Sequence, residues 1–113
     1  MKQIVAVIQP HLLSKVEHAL YQLSHFPGFT VLRAQGQGRG RASGHAYRPS
    51  SWDWDEHDKA MLTIWCADEL SAQIIETIRR SAHTGLPGDG IIAVSSLEDV
   101  VRIGTDEHGD AAV

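Results

Sequence analysis

The hydrophobic period of this chain switches from strand-like to helix-like twice. An aperiodic stretch at 36–58 separates the two cycles. So short a chain with the order β-α-β, long loop, β-α-β has few architectures open to it. The first cycle begins with Ile4-Val5-Ala6-Val7-Ile8, an apolar β-branched run ended by Pro10, which predicts a buried strand over 3–9. Leu12, Val16, Ala19, Leu20 and Leu23 then recur at three- and four-residue steps and predict a helix over 12–25, stopped by Pro27-Gly28. Residues 29–34 read as a second strand. The second cycle has a strand over 59–66, a helix over 69–82 with Leu70, Ile74, Ile75, Ile78 and Ala82 on one side, and a strand over 91–94. Residues 97–103 read as one more extended segment, and the polar, acidic tail 105–113 as mobile. The expected class is α+β. A ferredoxin-like antiparallel sheet carries two helices on one face and a long loop between its halves. The strands are apolar on both faces, so an oligomer is expected to cover the second face.

With 113 residues the chain is expected to form a single domain, 1–113. Lys and Arg number 10 and Asp and Glu 14, so the net charge is 10 − 14 = −4. A mildly acidic chain argues against nucleic acid or an anionic membrane as the main partner, because phosphate binding needs a cationic face. The lone cysteine, Cys66, rules out a disulfide within the chain and reads as a small buried hydrophobe. The opening residues are too soon interrupted for a signal peptide, and no apolar run approaches membrane length. The expectation is a cytoplasmic protein with no direct membrane insertion.

Glycine is unevenly placed. Of ten, four lie between Gly36 and Gly44 and three between Gly85 and Gly90. Gly36-Gln37-Gly38-Arg39 follows a strand. It could admit a phosphate beside the backbone, with Arg39 as a forked cation, or it could simply hinge the loop. Thr84-Gly85-Leu86-Pro87-Gly88-Asp89-Gly90 could present backbone N–H groups to an anion, or serve only as a helix cap and turn. His11, His18 and His25 recur every seven residues, on one face of the first expected helix. That spacing is about 10.5 Å per step, too far for one metal ion. His45 and His57 lie near Asp53, Asp55 and Glu56 in the loop without a fixed ligand spacing. Trp52 and Trp54, in the same loop, either dock a partner or fold back onto the domain. No nucleophile elbow or arranged general base is visible, so no enzyme is expected.

Several stretches together resemble the PII signal-transduction proteins over essentially the whole chain. They are the opening strand through Gln9-Pro10, Gly36-Gln37-Gly38-Arg39, the 84–90 turn, and the ending. That ending runs Val101-Arg102-Ile103, Gly104-Thr105 and Asp110-Ala111-Ala112-Val113. The resemblance implies a homotrimer with an adenine nucleotide in each cleft between subunits. It also implies a reporting loop at 37–58 (the T-loop), a C-terminal tail at 104–113, and a membrane transporter or metabolic enzyme as the regulated target. Carried over by position, the nucleotide-binding residues are Thr30, Gly36, Gly38, Arg39, Lys59, Thr84, Gly88, Asp89, Gly90 and Arg102. Arg41, Tyr47, Trp52 and Trp54 fall in the partner-binding loop.

The chain departs from the family pattern at telling positions. Gly40 stands where a Gln usually helps bind 2-oxoglutarate with Mg-ATP, which leaves 2-oxoglutarate sensing doubtful. Ile91 and Gly104 stand where the family usually has Lys and Arg, so two cations that would balance a triphosphate are missing. Each lost charge-assisted contact costs roughly 1.5–3 kcal/mol, which favours ADP or AMP over ATP. Trp65 stands near the adenine pocket, where smaller residues are usual, and would either stack on the base or fill the site. The usual uridylylated tyrosine is replaced near Trp52, so control by uridylylation is not expected. Bicarbonate stays open as an effector, since some PII-like relatives report on it. A regulator of this kind is the leading expectation. The alternative is a trimeric metal-homeostasis protein using His45, His57 and the acidic stretch.

Overall fold

Alternation along the strands decides the layers. In β1 (Lys2–Ile8) the even residues Ile4, Ala6 and Ile8 are buried, and in β3 (Asp58–Cys66) so are Ala60, Leu62, Ile64 and Cys66. Alternate residues point to opposite faces of a sheet, so these form one continuous buried face. Two helices cover it: α1 (Leu13–Leu20), entered through a 3-10 turn at Pro10–Leu12, and α2 (Asp68–Ala82). Val16 and Leu20 of α1 and Ile74, Ile78 and Ala82 of α2 complete the core. With β2 (Thr30–Gln35) and β4 (Gly90–Ser96) the sheet has the order β2-β3-β1-β4, every neighbouring pair antiparallel. That is the expected ferredoxin-like plan. The computed structural model describes residues 1–38, 52–54 and 56–113.

Three expectations need correction. α1 ends at Leu20, not at residue 25. Tyr21 leaves the helix to pack edge-on against Phe26, with ring centroids 5.1 Å apart, and tilted against Phe29 at 6.3 Å. His25 follows in the left-handed region at φ 59°. Packing three aromatic rings against one another in the connection outweighs the further helical turns that Leu23 would have supported. Of the histidine series only His18 is therefore on α1. The segment 97–103 is not a strand of the sheet: Val101 pairs only with His108, in an isolated antiparallel bridge. The tail folds back onto the domain through a second 3-10 turn, Gly109–Ala112, whose Ala112 is 3% exposed.

The sheet face away from the helices is apolar and open. One row crosses all four strands, Leu32-Met61-Val7-Ile91, each residue opposite the next in register. Leu32 and Ile91, at the two edges, are well exposed. Cys66 lies on the opposite, buried face, and burial pushes its thiol pKa up. Among the described residues, no helix is long and apolar enough to cross a membrane.

Candidate functional site

Antiparallel register brings the two glycine clusters to one end of the sheet. Ile8, the last residue of β1, lies opposite Ala60 on one side and Gly90 on the other, and Ala34 and Gln35 of β2 lie opposite Lys59 and Asp58. Gly36 and Gly90 therefore flank the ends of β3 and β1. Strands are about 4.8 Å apart, so roughly 14 Å separates the edge strands at this end.

The 84–90 turn is held from within. The Asp89 carboxylate accepts from the Thr84 N–H at 3.0 Å, from Thr84 Oγ1 at 2.5 Å and from His83 Nδ1 at 2.9 Å. The Leu86 N–H in turn donates to Thr84 Oγ1 at 3.0 Å. Partial burial acts to raise the Asp89 pKa, but these hydrogen bonds outweigh it and hold the carboxyl below its ordinary value. Gln9, which follows β1 directly, reaches across with Nε2 to donate to the Gly88 carbonyl at 2.5 Å. Gly90 is at φ 119°, and a Cβ there would lie 1.9 Å from the Val7 carbonyl oxygen. Only glycine allows this approach of β4 to β1.

The base of the long loop is held by Gln35. Its Nε2 donates to the Trp54 carbonyl at 2.7 Å and to Asp58 Oδ1 at 2.6 Å, and its Oε1 accepts from Trp52 Nε1 at 2.8 Å. The Gly36 N–H donates to the His57 carbonyl at 3.0 Å. Trp52 stacks on His57 with ring centroids 3.7 Å apart, and His57 is buried with Nδ1 2.5 Å from the Asp53 carbonyl oxygen. Trp52 therefore folds back onto the loop base. The alternative ligand His57 lies beneath its ring, and no cluster of three potential metal ligands is found among the described residues. Arg39, Arg41, His45 and Tyr47 lie outside the described residues.

Thr30 and Arg102 lie elsewhere. They line a cavity of about 530 Å³ together with Tyr21, Phe29, Thr63 and Trp65, and none of Gly36, Gly38, Lys59 or the 84–90 turn contributes to it. Arg102 rides on a small hairpin closed by the Val101–His108 bridge. The Arg102 N–H donates to the Glu107 carbonyl at 2.9 Å, and the Arg102 carbonyl accepts from the Asp106 N–H at 2.8 Å. Asp99 staples the hairpin, accepting from His108 Nδ1 and the Val100 N–H, each at 2.9 Å, and from the Gly109 N–H at 3.1 Å. The bond between Asp99 and His108 lowers the aspartate pKa and raises that of the histidine. Arg102 Nε donates to the Ala112 carbonyl at 3.1 Å, which ties the tail to the cavity wall.

Seven of the ten carried-over positions (Gly36, Gly38, Lys59, Thr84, Gly88, Asp89 and Gly90) are thus gathered at the glycine end. Thr30 and Arg102 form a second group, and Arg39 is not described. Sequence reasoning missed Gln9, Gln35, His83, Thr63 and the Asp99–His108 staple. Only Gln9 and Gln35 carried a signal, as the first polar residue after β1 and the last residue of β2. Thr63 meets its partner Thr30 only through sheet register, and His83 and the Asp99–His108 staple act through loop contacts that have no periodic trace.

A family model for "Nitrogen regulatory protein P-II" matches residues 1–107. The chain is 39% identical over 113 residues to a "Nitrogen regulatory protein P-II" of Azospirillum brasilense and 40% identical to one of Rhizobium meliloti (strain 1021), with both chains covered completely. It is 40% identical to the "Nitrogen regulatory protein P-II 2" of Methanothermobacter thermautotrophicus, covering all of this chain and 97% of the relative. These matches span the strands, both glycine clusters and the Arg102 hairpin alike, and the chain belongs to the P-II family.

Proposed function

We propose that this chain is a non-enzymatic signalling regulator that works as a homotrimer. It holds an adenine nucleotide in the cleft between subunits and controls a transporter or metabolic enzyme through the loop at 37–58. The observation that carries this is the division of the site. Backbone donors and Lys59 lie at one end of the sheet, while Arg102 and Thr30 line a separate cavity. A cleft between two copies would complete the site, with the first group from one subunit and the second from its neighbour. The Leu32-Met61-Val7 part of the open row supplies apolar surface for such packing, and Ile91, at the far edge, is left to the cleft. Glycines and the 84–90 turn would cradle phosphate, and Lys59, Arg39 and Arg102 would neutralise it. Ile91 is 70% exposed and carries no charge, so a diphosphate or monophosphate suits the site better than a triphosphate. Ordering of the loop from its base at Gly36–Gly38 when ligand bridges both groups would carry the signal.

Calorimetry with ADP, AMP and ATP, each with and without 2-oxoglutarate and bicarbonate, tests this reading. ADP or AMP should bind and ATP more weakly. Arg102→Ala should cost about 1.5–3 kcal/mol, a loss of about 10- to 150-fold in affinity. Arg102→Gln keeps a donor for the Ala112 carbonyl without the charge and should lose as much, which separates phosphate neutralisation from tail docking. Absence of any adenylate binding at millimolar concentration would overturn the proposal.

A further inference from the structure

Trp52 and Trp54 take different places at the base of the loop. Trp52 has one face stacked on His57 and its indole N–H given to Gln35, so its ring is fixed from two sides. Trp54 contributes its backbone carbonyl to that network, accepting from Gln35 Nε2 and from the His57 N–H. Its side chain is left out: the residue is 67% exposed, and 43% of Trp52 is exposed beside it. The two ring centroids lie 6.3 Å apart, with the ring planes at 76° to each other. They form an open corner, and its Trp52 wall is held in place before anything docks. Tryptophan is among the residues most enriched at interface hot spots, because it offers a large rigid surface.

Charge decides what fits the corner. Residues 49–58 hold Asp53, Asp55, Glu56 and Asp58 and no Lys or Arg. Asp53 and Glu56, within two residues of Trp54, are both exposed. Asp58 joins the same network, since the Gln35 amide that accepts from Trp52 donates to its Oδ1. Its other oxygen has Arg33 Nη2 at 3.9 Å, on a side chain 95% exposed, a contact of little strength. Such surroundings repel a phosphate and draw a cation, and an indole face attracts a cation through its quadrupole. Arginine suits the corner better than lysine. Its guanidinium is planar, stacks on an aromatic face and meets carboxylates with a fork of donors. The position agrees with a partner. Gln35 and Asp58 are register partners on the sheet face that carries the helices, while Lys59 alternates to the open face. A segment docked at the corner leaves the proposed nucleotide side uncovered.

We propose that the Trp52–Trp54 corner is the docking surface for a basic segment of the regulated target, and that it receives an arginine side chain of that segment. The inference rests on the reading of the loop as the partner-binding part of the chain and deepens it. The arginine lies against the indoles, and the exposed carboxylates around them meet its guanidinium.

The test is calorimetry of the full chain with three probes of equal length, hexa-arginine, hexa-lysine and hexa-glutamate, at one fixed salt concentration. Hexa-arginine should bind about threefold or more tighter than hexa-lysine, and hexa-glutamate should not bind. Trp54→Ala keeps the backbone carbonyl that Gln35 holds. It should lose about 2- to 5-fold in affinity for hexa-arginine and bring the two cationic peptides within about twofold. Trp54→Phe should keep part of the preference, and it decides if Trp54→Ala does not fold. Glu56→Gln should weaken both cationic peptides alike and leave the preference for arginine. In NMR spectra, hexa-arginine should shift the indole N–H signals of Trp52 and Trp54 and leave that of Trp65. Equal affinity for the two cationic peptides, or undiminished hexa-arginine binding by Trp54→Ala, would reduce the effect to bulk charge and overturn the inference. Free arginine binding as tightly as hexa-arginine would make the corner a small-cation site and overturn the docking of a segment. ADP added to the same samples separates the two readings. A chain that binds ADP without preferring arginine loses this inference alone, and one that prefers arginine without binding ADP keeps it and loses the nucleotide reading.

Discussion

The two glycine-rich segments look alike in sequence and differ in what their glycines are for. In the 84–90 turn, Gly85, Gly88 and Gly90 all have positive φ, and a side chain on Gly90 would drive into the β1 backbone. At the loop base, neither Gly36 nor Gly38 has a positive φ. A Cβ on Gly36 would make ordinary contact with the Lys59 side chain at 3.9 Å, and one on Gly38 would meet nothing within 4 Å. The fold requires glycine in the first segment and, among the described residues of the second, has no use for it at Gly36 or Gly38. Residues that the fold does not need are candidates for contact with something outside the chain, and that is where the resemblance places a phosphate.

The sharpest way to break this contrast is Gly90→Ala. The substitution imposes a φ that L-residues avoid and a steric overlap with Val7, so β4 must move away from β1. A loss of about 3 kcal/mol or more in stability is expected, read by urea or thermal unfolding. A change within about 0.5 kcal/mol would mean that β4 does not sit so tightly against β1, and the contrast would fail.

The next largest effect concerns charge. The turn offers backbone donors but is followed by Ile91, and the Arg102 hairpin continues into Gly104. Both positions have room: Ile91 is exposed, and a Cβ on Gly104 meets nothing within 4 Å. Ile91→Lys and Gly104→Arg should fold normally and restore the two cations. Each should strengthen ATP binding by about 1.5 kcal/mol, close to tenfold, with a smaller gain for AMP. Calorimetry showing equal gains for AMP and ATP would mean that neither new charge reaches the outer phosphates.

How much of this was legible in the sequence follows from how local each cause is. The Ile4–Ile8 run and the spacing of Ile74, Ile78 and Ala82 gave β1 and α2, because burial on one face leaves a periodic trace. The open second face was equally readable, since Val5, Val7 and Met61 are apolar where a solvated face would be polar. The end of α1 was not. Leu23 continues the helical period, and only the three-dimensional packing of Tyr21, Phe26 and Phe29 stops the helix at Leu20. Residues 97–103 looked like a strand because Val100, Val101 and Ile103 are β-branched, yet their partner is the local His108 hairpin. The docked tail is built of Ala111, Ala112 and Val113, too small to announce burial. Within the site, the glycine motifs were visible because they are contiguous. The pairing of Trp65 with Gln3 and of Thr30 with Thr63 depends on sheet register, which composition does not encode.

Gly38→Ala addresses the other half of the contrast. With no positive φ and no neighbour to meet, the substitution should leave stability within about 0.5 kcal/mol of the wild type. ADP affinity should nevertheless fall by about tenfold, because the methyl group stands where the phosphate must approach the backbone. Unfolding and calorimetry on the same sample separate the two effects. A stability loss matching that of Gly90→Ala would make both clusters structural, and unchanged affinity would remove the loop base from the nucleotide site.

The smallest expected effect is the pH response of the turn itself. Asp89 is held below its ordinary pKa because the bonds from Thr84 and His83 outweigh its partial burial. A carboxyl whose folded pKa is lowered contributes stability that is present above its unfolded value, about 3.9 for Asp, and lost as pH falls through the folded value. The turn should therefore stay ordered down to about pH 4 and loosen only on further acidification. The Thr84 amide donates directly to the carboxylate, so its NMR shift should follow Asp89 with a midpoint below the ordinary aspartate value. Asp89→Asn should abolish that titration and loosen the turn at neutral pH, since an amide cannot accept all three bonds equally well. A midpoint at or above the ordinary value would mean that burial outweighs the hydrogen bonds. The turn would then owe its shape to Gly85, Gly88 and Gly90 alone rather than to glycine and Asp89 together.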